Sequence, residues 1–257
     1  KFPDVVEDIK NINVNDTVLT VGYLGQSAKL IKNHNPNKVF ILDNSVFPLK
    51  GIMNFRLLNG NLQSLFKNHK LEEQLYKGYY KKKLLDKITE FEFSKNRKNY
   101  PNQKKNNLEN KIIIEFPWSI PIKKIIQLKD KETINDYNNK ISFYKKKYTL
   151  KRFYKNGAIQ KMTKTNIPLL RVINKKKIEE KNIFYCEFLF SPTSTMSLNG
   201  LIMRKEVIMS KYNPFFNYLK LNGSYKNYED NELLETLINY IGNLNFSVSE
   251  LFDFIKS

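Results

Sequence analysis

Residues 17–43, TVLTVGYLGQSAKLIKNHNPNKVFILD, hold two apolar, β-branched runs separated by a glycine turn and a short helical segment. Thr17 to Val21 carries the side chains that favour a pleated, half-buried strand, and Gly22 closes it. Leu24 to Ile31 reads as a short helix, and Asn33 to Asn37, with Pro36 inside it, as the loop that ends it. Lys38 to Leu42 is a second buried strand with Asp43 at its end. A strand, a helical crossover and a second strand at this spacing predict a parallel βαβ unit.

The pattern continues downstream. Phe55 to Leu58 is a third strand, stopped by Asn59-Gly60-Asn61, and Lys111 to Ile114 is a fourth, ending in Glu115-Phe116-Pro117-Trp118. Between them, Leu71 to Phe93 reads as an amphipathic helix, and Ser94 to Asn110 as a polar, mobile insertion. Residues 122–165 look helical and strongly basic. Ile183 to Phe190 and Leu198 to Val207 read as two more strands, separated by Ser191-Pro192-Thr193-Ser194-Thr195. Glu229 to Ser257 reads as helical, with apolar residues at Leu233, Leu234, Leu237, Ile238 and Ile241, and an interruption at Asn243. The expectation is an α/β fold: a doubly wound, Rossmann-like parallel sheet over 1–210 with a basic insertion at 71–110, then a small helical appendage over 211–257.

Composition narrows the chemistry. One cysteine in 257 residues excludes a disulfide framework within the chain and any multi-cysteine zinc site. His34 and His69 have no cysteine near them, so no metal site is expected. No run approaches the 18 or so apolar residues of a membrane-spanning helix. With 44 Lys+Arg against 25 Asp+Glu, the formal charge is +19, which speaks for a polyanionic partner. The cations are clustered, at Lys81, Lys82 and Lys83, from Lys95 to Lys105, from Tyr144 to Lys155, and at Lys175, Lys176 and Lys177. The stretch YKKKYTLKRFYK holds Lys145, Lys146, Lys147, Lys151 and Arg152 among Tyr and Phe residues. Cations that neutralise phosphates, interleaved with rings that stack on unpaired bases, suit RNA.

In an open parallel sheet the ligand lies at the carboxyl ends of the strands. There the chain offers the Gly22-Tyr23-Leu24-Gly25 turn, whose backbone suits close approach to a nucleotide or S-adenosylmethionine. Asp43 follows about 20 residues on, where a carboxylate accepts from ribose hydroxyls. Asn61 offers a side-chain oxygen to an adenine amino group. Glu115 and Trp118 pair a polar group with an aromatic face for a flipped-out base.

In this order the chain resembles the ribosomal RNA adenine dimethyltransferase family, which includes the mitochondrial transcription factor B proteins. Val18 to Ile31 resembles the first S-adenosylmethionine motif, Lys38 to Asp43 the second and Gly60-Asn61-Leu62 the third. Glu115-Phe116-Pro117-Trp118-Ser119-Ile120-Pro121 resembles the catalytic Asn-Leu-Pro-Tyr segment, and Phe190 to Arg204 the Pro-containing segment and strand that follow it. Leu233 to Leu251 is similar to the C-terminal helical region. The resemblance covers most of the chain except about 71–110, and it implies a Rossmann-like S-adenosylmethionine methyltransferase sheet. It places Thr20, Gly22, Gly25, Asp43 and Asn61 at the cofactor and Glu115, Pro117 and Trp118 at the target adenine.

The departures bear on activity. Thr20 stands where the first motif has an acid, and its glycine turn is a residue short. Asn61 replaces an aspartate, and Glu115 the catalytic asparagine. Methyl transfer depends on positioning, and a misplaced cofactor loop alone costs on the order of 100-fold. The expectation is an RNA-binding, catalytically inactive relative that is a structural or assembly component of a mitochondrial ribosome. It holds no cofactor, contacts ribosomal RNA and neighbouring ribosomal proteins, and has no membrane span. Two other readings stay open. One is a mitochondrial transcription initiation factor contacting a mitochondrial RNA polymerase and promoter DNA. The other is an active S-adenosylmethionine-dependent rRNA adenine N6-dimethyltransferase.

Overall fold

A computed structural model describes residues 9–46, 54–66, 82, 112–152, 186–222 and 230–256. After a 3-10 turn at Ile9–Asn11 come β1 (Val18–Val21), α1 (Gly25–Asn33), β2 (Val39–Asn44) and β3 (Asn54–Asn59). Then follow β4 (Ile112–Glu115), α2 (Ile120–Lys129), α3 (Lys131–Lys145), β5 (Thr149–Arg152) and β6 (Phe188–Phe190). The last are α4 (Ser197–Ile202), β7 (Glu206–Ile208), α5 (Phe216–Asn222), α6 (Asp230–Leu244), β8 (Asn245–Ser247) and α7 (Val248–Lys256). The chain divides into two compact units, one of Lys1–Tyr79, Ile120–Ile134 and Ile238–Ser257, the other of Tyr80–Ser119 and Asn135–Leu237.

The first unit holds a mixed four-stranded sheet in the order β1-β2-β3-β8. β1 pairs with β2 in parallel, as the βαβ reading expects, with Val18 beside Val39 and Val21 beside Leu42. β3 runs antiparallel to β2, which corrects the expectation of a third parallel strand. The cause is the connection: residues 45–53 are fewer than the dozen or more that a parallel crossover needs. β8 pairs antiparallel with β3, so region 211–257 contributes a strand to this sheet and is not a purely helical appendage. Leu42, Leu57, Phe246 and Leu251 form a buried cluster against which Phe40, Phe55 and Phe254 pack. Burying each such side chain contributes roughly 1.5–3 kcal/mol, which holds α7 on the sheet through Leu251 and Phe254.

The second unit holds a wholly parallel sheet in the order β5-β4-β6-β7. The one sheet expected over 1–70 and 111–210 is therefore two among the described residues. In the parallel sheet the first strand in the chain, β4, lies inside, with its successor β5 on one side and β6 on the other. Ile113, Ile114, Leu189 and Phe190 are fully buried, as inner parallel strands require. Strand β5 lies within the basic stretch expected to be helical. Residues 197–202 form a helix where a strand was expected: Leu198, Leu201 and Ile202 recur at helical spacing, and just before it Ser194 Oγ accepts from the Met196 N–H at 3.2 Å. The Leu71–Phe93 helix and the Ser94–Asn110 insertion lie outside the described residues, apart from Lys82, which is exposed.

Candidate functional site

At the carboxyl end of β1 and β2 the glycine turn is well formed. Gly22 and Gly25 have φ of +68° and +56°, where a side chain is strained, and the Gly22 N–H donates to the Leu42 carbonyl at 2.9 Å. A Cβ at either glycine would meet open space, so backbone conformation rather than close packing selects them. Thr20 is buried, and its hydroxyl donates at 2.5 Å to Ser27 Oγ, which donates in turn to the Val21 carbonyl at 3.2 Å. Thr20 thereby ties β1 to the first turn of α1.

Asp43 faces Arg56 directly across the β2–β3 register, and the Arg56 Nη2 donates to its Oδ2. The Arg56 side chain is only 7% exposed, while its Nε and Nη1 find no partner among the described residues. Burial works against the guanidinium charge, but Asp43 and Tyr23 outweigh it, and the pKa stands above its usual value. The Tyr23 hydroxyl lies beside the pair; burial raises its pKa, Arg56 opposes this and Asp43 reinforces it. Asp43 is thus the counter-ion of a buried arginine, and an arriving ribose would have to compete with that arginine.

Asn61 is elsewhere. Because β3 is antiparallel, Gly60-Asn61-Leu62 lies at the opposite end of the sheet from Gly22 and Asp43. Asn59 pairs with Phe40, the Gly60 N–H donates to the Pro36 carbonyl at 3.0 Å, and a Cβ on Gly60 would lie 2.5 Å from Pro36 Cα. Asn61 is exposed, its N–H donating to Asn59 Oδ1 at 3.0 Å in a turn that Lys129 Nζ braces by donating to the Gly60 carbonyl at 2.7 Å. Thr20, Gly22, Gly25 and Asp43 come together; Asn61 does not join them. With Asp43 engaged and Asn61 at the far end, these five residues do not fit an S-adenosylmethionine site of the family pattern.

In the parallel sheet the order reverses at β4 and β6, the place where such folds gather a ligand. Glu115 ends β4 with its side chain 7% exposed, and Arg152, its register neighbour on β5, donates from Nε to Oε2 at 2.5 Å. Pro117 is half-buried. Trp118 is buried at 7% exposure with its ring edge-on to Tyr137 at 5.3 Å, packed as core and not offered as a free stacking face. Neither the Trp118 Nε1 nor the Tyr137 hydroxyl has a hydrogen-bond partner among the described residues. Burial first, and the Glu115 charge second, push the Tyr137 pKa well above its usual value.

Asn213 is the residue that motif reading missed. Its Nδ2 donates to the Ser191 and Ser194 carbonyls at 2.7 and 3.2 Å, and its Oδ1 accepts from Ser197 Oγ at 3.1 Å. It clamps the Ser191–Ser194 loop that follows β6. The only sequence signal was the turn-forming dipeptide Asn213-Pro214.

Of the expected phosphate-binding residues, Lys82, Lys145, Lys146 and Lys147 are exposed, and Lys151 is half-buried. Arg152 is engaged by Glu115. Lys81, Lys83, Lys175, Lys176 and Lys177 lie outside the described residues. Tyr144 and Tyr148, expected to stack on bases, instead turn toward β6. Tyr144 lies 4.6 Å and Tyr148 5.4 Å from the Phe188 ring.

Strands and helices in these proportions, with one parallel sheet, make this a mixed α/β protein. No family model, no curated protein and no solved structure matches the chain. Among the described residues no group of three or more His, Cys, Asp or Glu is placed to hold a metal ion, and no helix is long and apolar enough to cross a membrane.

Proposed function

We propose that this chain is an RNA-binding relative of the ribosomal RNA adenine dimethyltransferases that does not transfer methyl groups, and that it serves as a structural or assembly component of a mitochondrial ribosome. The observation that carries the reading is a repeated one: the two carboxylates assigned to ribose and to adenine, Asp43 and Glu115, are each bound by an arginine directly across the sheet. A charged acceptor held by an internal cation is unavailable to a ligand unless the pair breaks. Breaking the buried Asp43–Arg56 pair costs about 3–5 kcal/mol, or more than two factors of ten in affinity, and breaking the more exposed Glu115–Arg152 pair costs about 1.5–3 kcal/mol. The RNA half of the reading rests on the +19 charge and on the exposed Lys145, Lys146 and Lys147.

Two measurements test it. Calorimetry with S-adenosylmethionine is expected to give no micromolar binding, and a methyl-transfer assay on small-subunit ribosomal RNA no product. Micromolar binding with turnover would replace this reading with the enzyme. Affinity for RNA is expected to fall with salt at about 0.7–0.9 log units per log unit for each neutralised phosphate. Salt-insensitive affinity, or co-purification with a single-subunit RNA polymerase in place of ribosomal RNA, would remove the ribosomal assignment.

A further inference from the structure

Tyr144 and Tyr148, expected to meet bases, pack against Phe188, but the ring next to Tyr144 is turned outward. Phe143 is 57% exposed, although it lies within α3, whose Tyr137 and Ile141 are buried. Two positions beyond Ile141, Phe143 falls on the far side of the helix, because successive residues advance about 100°. On that outer side Lys140 lies three positions back along the helix, and Lys146 and Lys147 follow in the turn directly after the helix ends at Lys145. Lys147 Nζ stands 5.7 Å from the centre of the Phe143 ring. Lys140 is held by Asp136 at 2.9 Å, an exposed pair one helical turn apart.

We propose that Phe143 is the base-stacking platform of a lysine-rimmed surface that takes single-stranded RNA. The inference rests on the RNA-binding reading and names the part of the surface that selects unpaired strands. Lysines at a helix C-terminus also favour the helix dipole, which accounts for cations there but not for an exposed ring among them. Charge complementarity requires a polyanion. A duplex keeps its bases stacked and offers a lone ring nothing, whereas an unpaired base offers a face. An anionic lipid surface fits less well, since a membrane-lying helix inserts a continuous apolar face and the Tyr137 and Ile141 side of α3 is buried within the protein.

The test uses the full chain, a fluorescent single-stranded oligoadenylate, a duplex RNA of the same length, and vesicles rich in phosphatidylserine. Phe143→Ala is expected to weaken oligoadenylate binding about 5- to 150-fold, the range that loss of one stacked base gives. It should leave duplex affinity and the salt slope unchanged, and Phe143→Trp should restore binding. The double variant Lys146→Ala/Lys147→Ala should reduce the salt slope by about 1.4. Phe143→Ala with the parent's affinity for oligoadenylate would overturn the proposal and leave RNA binding standing. Failure of the parent to bind either RNA at low salt would overturn both. Loss of vesicle binding with no loss of oligoadenylate binding would assign the surface to lipid. Phe143 is exposed, so a variant with the parent's circular dichroism reports on binding and not on folding.

Discussion

The two sheets repeat one device in opposite settings. Asp43 and Arg56 face each other between antiparallel strands, and Glu115 and Arg152 between parallel ones. In each case the acid is near the carboxyl end of an inner strand and its cation comes from the neighbour. The sheets differ in what else reaches that edge. In the parallel sheet the loops after β4, β6 and β7 all leave from the same side, and Asn213 binds one of them to the next element. In the mixed sheet β3 returns the other way and carries Gly60 and Asn61 to the far end. Strand direction, more than strand composition, determines whether residues at strand ends meet.

Removing the arginines one at a time separates the two pairs. Arg56→Met strands the Asp43 carboxylate in a largely buried setting and is expected to cost about 3–5 kcal/mol of stability. Much of that loss should return in the double variant Arg56→Met/Asp43→Asn, because the unpaired charge goes with it. Arg152 is 34% exposed, so solvent replaces part of what it supplies to Glu115. Arg152→Met should therefore cost less, about 1.5–3 kcal/mol for a charge-assisted hydrogen bond. Urea denaturation of the three variants reads the order. Equal losses at the two arginines would mean that the two pairs are buried alike.

The same difference separates what a local sequence pattern reports from what it does not. The apolar runs placed β1, β2, β3, β4 and α1 within a residue or two of where they lie, because period and β-branching report on burial. Direction is not in that signal. Its one trace was the length of the 45–53 connection, too short for a parallel crossover. β5 was hidden because Thr149 to Arg152 is half polar and sits inside a lysine run that continues the helical pattern of α3. β8 was hidden for a similar reason, a three-residue strand between two helices of strong apolar spacing. The site residues were legible as residue types and in part as positions. Their partners Arg56 and Arg152 were not, since a cation opposite an acid depends on register, which no local pattern reveals. The Trp118 indole shows the same limit: its aromatic character was evident, but its burial against Tyr137 depends on α3 packing over the parallel sheet.

A smaller effect sharpens the reading of the glycine turn. Gly25 has φ of +56° and open space where a Cβ would go, so Gly25→Ala introduces conformational strain without collision. A cost of about 1–2 kcal/mol is expected, measured by the same denaturation. Gly25→Asn should recover part of it, because Asn tolerates the left-handed region. A much larger loss would mean that something else closes on this turn, which would favour a ligand-shaped edge in the mixed sheet as well.

The smallest effect separates the units by pH. Cys186, buried just before β6 in the second unit, has its thiol pushed by burial from 9.0 up to about 12, with Lys205 opposing weakly. The unfolded thiol loses its proton near pH 9, while the folded one keeps it, so above that pH the folded state binds more protons. Stability is then fully present below pH 9 and declines as pH rises toward 12. Tyr23 in the first unit and Tyr137 in the second, both raised by burial, act in the same direction, but only from their ordinary value of 10.0 upward. Among the described residues raised by burial, the thiol is the one that starts the decline between pH 9 and 10, and Lys129, lowered by burial, opposes it. Cys186→Ala should flatten the stability curve there and leave the steeper fall above pH 10 intact. Alkylation of the thiol by iodoacetamide gives an independent reading, slow in the folded protein at pH 10 and fast on unfolding. A thiolate that forms near pH 9 in the folded protein, with no change of slope in the variant, would show that Cys186 is open to solvent and that the start of β6 is not part of a closed core.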